Sequence, residues 1–64
     1  MQTTVQERRD AMRTSYAHRT HADMVRVVRG GTHGLTDAQV TATVQRMLET
    51  GECAWHAASI VCAS

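Results

Sequence analysis

Between Leu35 and Gly51 the chain marks both ends of one helix, and that segment constrains what the rest can become. Thr36 stands as an N-cap whose hydroxyl can accept one of the orphan N–H groups of the first turn, and Gln39 three residues later completes a capping box. Asp37 adds negative charge at the positive helix end. Val40, Val44, Met47 and Leu48 recur at i, i+4, i+7 and i+8, one face of a 3.6-residue repeat, and Gly51 supplies a left-handed stop. A helix is therefore predicted over 37–50.

Upstream, residues 3–17 contain no Gly or Pro, open on a cap at Thr3 or Thr4, and place Val5, Met12 and Tyr16 at i, i+7 and i+11. Glu7, Arg8, Arg9, Asp10 and Arg13 point outward. The apolar stripe is poor, so this helix must be held by packing on the rest of the fold or on a partner rather than by its own propensity. A second helix is expected from Thr20 over 21–29, with Met24, Val25 and Val28 on one face, Asp23 in its first turn and Arg29 in its last. Gly30-Gly31-Thr32-His33-Gly34 follows as a flexible turn.

After Gly51, the residues Cys53, Trp55, Ile60, Val61 and Cys62 surround His56-Ala57-Ala58-Ser59. A four-residue loop there sets Trp55 opposite Ile60 and Cys53 opposite Cys62, which predicts a β-hairpin over 52–62 although the turn lacks Gly, Asn and Asp. The expected core is Leu35, Val40, Val44, Leu48, Trp55 and Ile60.

A chain of 64 residues makes one small domain. Such a core supports only about 3–5 kcal/mol of net stability unless a dimer, a disulfide or a metal adds to it. With no Phe and a single Trp, Trp55 is expected to carry a large share of it. Neither a leader nor a membrane-spanning run is visible, so the expected compartment is the cytoplasm, with Cys53 and Cys62 as reduced, inward-facing apolar groups. All seven basic residues are arginine and six acids leave a formal charge of +1, which does not describe a strongly basic nucleic-acid binder.

Taken together, residues 21–62 resemble the winged helix-turn-helix family. The short helix 21–29, the turn 30–35, the Leu35-Thr36 entry, then Val40, Val44, Arg46, Leu48, Glu49 and Gly51 carry the resemblance, and residues 3–17 stand where that family has its first helix. Two departures are the three glycines in the turn and a wing tip without a basic residue. The resemblance implies a mainly α fold with a small β-hairpin, that is, three helices plus a C-terminal wing. It further implies a small DNA-binding regulator, repressor-like or excisionase-like, with helix 37–50 as recognition helix.

On the residues themselves, Gln39 can pair with adenine, Arg46 with guanine or phosphate, and Thr43 is small enough for close approach to a groove, while Arg26 and Arg29 would contact the backbone of double-stranded DNA. The alternative is a phage or mobile-element accessory protein that binds and inhibits a host protein through the same helical surface. Near-neutral charge favours that second class, and the helix order favours the first. A homodimer is an option in either case, and no membrane partner is expected.

His18 and His21 lie three residues apart, as do Cys53 and His56, with His33 and Cys62 as further candidate ligands. Zinc requires four such groups in tetrahedral array. No C-x-x-C pair exists, and a hairpin would point Cys53 and His56 to opposite faces, so neither metal nor other cofactor is expected. The glycine-rich turn lacks the phosphate-loop lysine, and 64 residues leave little room for a dry cleft; the chain is not expected to be an enzyme.

Overall fold

The computed structural model describes residues 4–63, which form four helices: α1 (Val5–Ala17), α2 (His21–Gly31), α3 (Asp37–Thr50) and α4 (Ala54–Ala63). Helix α3 is the centre of the molecule and packs against the other three; α2 also touches α4.

Threonine opens each of the first three helices. The hydroxyl of Thr4 accepts from the Glu7 N–H, that of Thr20 from the Asp23 N–H and that of Thr36 from the Gln39 N–H, each at 3.1 Å. The Gln39 side chain accepts in return from the Thr36 N–H at 2.9 Å, closing the capping box. Each such cap contributes about 1 kcal/mol. Gly51 ends α3 at φ 77°, its N–H donating to the Met47 carbonyl. The segment expected as a flexible turn is shorter than its composition suggests. Helix α2 runs on through Gly30 and Gly31, and within that segment the left-handed conformation is confined to Gly34.

The predicted β-hairpin and the winged architecture are not present: residues 54–63 are helical, and there is no strand among the described residues. The Ala57 N–H donates to the Cys53 carbonyl at 2.9 Å, starting helix α4 where a strand was expected. Two physical reasons combine. The 56–59 stretch has no residue suited to a tight turn and is rich in alanine, the strongest helix former. Read with a 3.6-residue period, Ala54, Ala57, Ala58 and Val61 form one small-residue face; Ala57 and Ala58 are buried and Ala54 packs against the core.

That face also displaces Trp55. Small alanines let α4 seat closely on its neighbours, and the indole is turned outward, 69% exposed, instead of lying in the core. The core is built from Tyr16, Met24, Val28, Val40, Val44, Met47 and Ala57, with Val25, Leu35 and Ala54 packed against it. Of the expected core, Val40 and Val44 are buried and Leu35 is partly so, but Leu48 is exposed and Ile60 only half-buried. The buried face of α3 is Val40, Thr43, Val44 and Met47, so the helix is rotated about its axis relative to the periodicity prediction. Thr43 takes the place assigned to Leu48 because its hydroxyl donates to the Gln39 carbonyl at 2.7 Å, which leaves its methyl-bearing carbon to pack like valine.

The cysteines also differ from expectation. Cys53 and Cys62 are free, but both are exposed rather than inward-facing: Cys53 precedes α4, and on that helix the small alanines rather than Cys62 take the buried positions.

Candidate functional site

The connection between α3 and α4 is a latch centred on Glu52. Its carboxylate is almost wholly buried and accepts from the Arg46 guanidinium twice, Nη2 to Oε1 at 2.8 Å and Nε to Oε2 at 3.2 Å. The His56 Nε2 lies 3.5 Å from Oε2. The Glu52 N–H donates to the Thr50 hydroxyl at 3.1 Å, and the Tyr16 phenol donates to the Glu52 carbonyl oxygen at 3.0 Å, tying the end of α1 to this connection. The hydrogen bonds from Arg46 hold the Glu52 carboxyl below the usual carboxylate range despite the opposing effect of burial, and they raise the Arg46 pKa in turn. Burial pushes the Tyr16 phenol up, with Cys53 adding to the shift.

Above this latch lies an open groove of about 400 Å³ between α1 and the start of α4. Gly51 and Glu52 form its floor. One wall is the α1 stripe Val5, Arg8, Arg9 and Met12, spaced i, i+3, i+4 and i+7 along one helix face. The other wall is Cys53, Trp55 and His56. Val5 is 63% exposed and Met12 40%, so together with Trp55 they form an apolar surface that the fold leaves uncovered. A second recess of about 340 Å³ lies between the α2–α3 connection and α4, and Trp55 borders it as well.

The arginines divide by their partners. Arg13, Arg29 and Arg46 are ion-paired with Asp10, Asp37 and Glu52. Arg8 and Arg9 have no ion-pair partner among the described residues, and the one carboxylate in the groove, that of Glu52, is already taken by Arg46. The groove therefore combines apolar walls with two uncompensated positive charges.

The residues expected to touch DNA are placed differently. The Gln39 side chain closes the capping box, Thr43 is fully buried, and Arg46 is spent on Glu52. Arg29 pairs with Asp37, while Arg26 is exposed on α2. The open face of α3 instead carries Ala38, Thr41, Gln45, Leu48 and Glu49, without an arginine. No group of three or more His, Cys, Asp or Glu side chains gathers into a metal-binding arrangement among the described residues. No helix there is long and apolar enough to cross a membrane.

Sequence reasoning passed over this groove because it assigned Trp55 to a strand buried in the core. The one available signal was the weak stripe of α1, whose Val5 and Met12 had no obvious place to be buried. No protein-family model, curated protein or solved structure matches the chain.

Proposed function

We propose that this chain is a protein-binding module that receives a segment of another protein in the groove between α1 and α4. The observation that carries this reading is the 69% exposed Trp55 standing beside Val5 and Met12, none of which belongs to the buried core. An exposed apolar patch rimmed by polar groups is a mark of an interaction surface, and Trp and Arg are the residues most enriched at the energetic centres of interfaces. A domain seated on a partner's segment competes with whatever else uses that segment, which is how a small accessory inhibitor acts.

A DNA-binding role would need Gln39, Thr43 and Arg46 free on one helix face. Each has a partner or a place inside the fold, so that role draws its support only from arginines outside α3.

Selection from a random peptide display library tests the reading. Peptides enriched on the wild-type protein and lost on Trp55→Ala are expected. Absence of enrichment, together with retention of duplex DNA at low ionic strength, would transfer the function to DNA binding.

A further inference from the structure

We infer that the segment this groove receives is acidic and amphipathic: an apolar ridge flanked by carboxylates that meet Arg8 and Arg9. The inference rests on the protein-binding reading and adds the chemistry of the partner. Val5, Met12 and Trp55 offer an apolar seat, and beside them Arg8 and Arg9 stand without a carboxylate to neutralise them among the described residues. Glu52 contributes no free negative charge, since Arg46 holds both of its oxygens. An anionic flank on the occupant is the complement of that pattern, and complementary charge sets specificity and encounter rate at an interface.

Other occupants fit less well. A second copy docked through the same surface about a two-fold axis would bring the same two arginines again and no free groove carboxylate to meet them, doubling the positive charge of the interface. A small molecule needs a site that encloses most of its surface, whereas this groove is open. An anionic bilayer would suit the arginines and the indole, but a concave surface accepts a ridge rather than a plane.

Trp55 is the single tryptophan of the chain and lies on the groove wall, so its fluorescence reports occupancy directly. The probes are three tryptophan-free helical peptides with the same leucine ridge, flanked by glutamate, glutamine or lysine, and vesicles of phosphatidylcholine with and without phosphatidylglycerol. The glutamate peptide should bind about tenfold more tightly than the glutamine one, the scale that two exposed ion pairs carry, with the lysine peptide weakest. Raising salt should shrink the difference. In Arg8→Glu/Arg9→Glu the order of the peptides should invert while the far-ultraviolet circular dichroism is kept. If that double variant loses its helicity, Arg8→Gln should still reduce the preference, since the Arg8 side chain is exposed. Equal binding of all three peptides would overturn the acidic-partner inference and leave the groove reading standing. An indole that responds to anionic vesicles alone, or to no probe at all, would overturn both.

Discussion

A Cβ placed on Gly51 would lie 2.7 Å from the carbonyl carbon of Arg9 and 2.8 Å from its Cα, so the backbone of α1 passes directly over the glycine that ends α3. One residue thus serves two purposes. Its φ of 77° stops α3, and its missing side chain lets α1 close down to form the groove wall.

Gly51→Ala should therefore be severely destabilising. The left-handed conformation alone costs about 1–2 kcal/mol for a residue with a Cβ, and the obstruction is backbone, which cannot rotate aside. Against a total stability of about 3–5 kcal/mol, cooperative thermal unfolding should be lost or shifted far down in circular dichroism. An unchanged melting curve would mean that α1 does not pack at this point.

Gly30→Ala should act in the opposite sense. Gly30 is helical, and a Cβ there meets nothing within 4 Å. Restricting the unfolded chain and improving helix propensity should raise stability by about 0.5–1 kcal/mol, which for a domain of this size is about 2–8 °C in Tm. A fall in Tm would place the end of α2 before Gly30.

The Arg46–Glu52 pair should make the fold acid-sensitive. Because the folded-state pKa of Glu52 lies below its ordinary, unfolded value, the pair's contribution is present above that unfolded value and is lost as pH falls through the folded pKa. The Tm difference between wild type and Glu52→Gln should accordingly narrow on acidification. Arg46→Ala should lower the neutral-pH Tm and move the acid transition upward, since burial then acts on the carboxylate without its main partner. Equal acid profiles for all three proteins would show that the pair does not contribute.

Trp55→Ala should leave stability within about 0.5 kcal/mol of wild type, as expected for an exposed side chain without a packing role. The sequence had suggested a loss typical of a buried aromatic. A large drop in Tm, measured alongside binding of the glutamate peptide, would return the indole to the core and remove the main support for the groove.

What could be read from the residues alone was whatever is fixed within one helical turn. The cap at Thr36, the start of a helix at Thr20, the stop at Gly51 and the helices they bound depend on partners three or four residues away, and the structure carries them nearly as the spacing implies. The choice between helix and hairpin for 54–63 was harder. Trp55, Ile60, Val61 and Cys62 suit a strand, while the alanines suit a helix, and their close seating among the other helices accompanies the helical outcome. The same limit hid the roles of the polar residues. Whether Thr43 and Arg46 point inward or outward depends on how α3 is rotated and on what meets it, Glu52 six residues beyond Arg46 and itself held by Tyr16 thirty-six residues before it, while the direction of Trp55 depends on how α4 is seated. Periodicity gives the width of an apolar face but sets its direction only loosely. Contacts across the fold decide which side chains are consumed inside it and which are left for a partner.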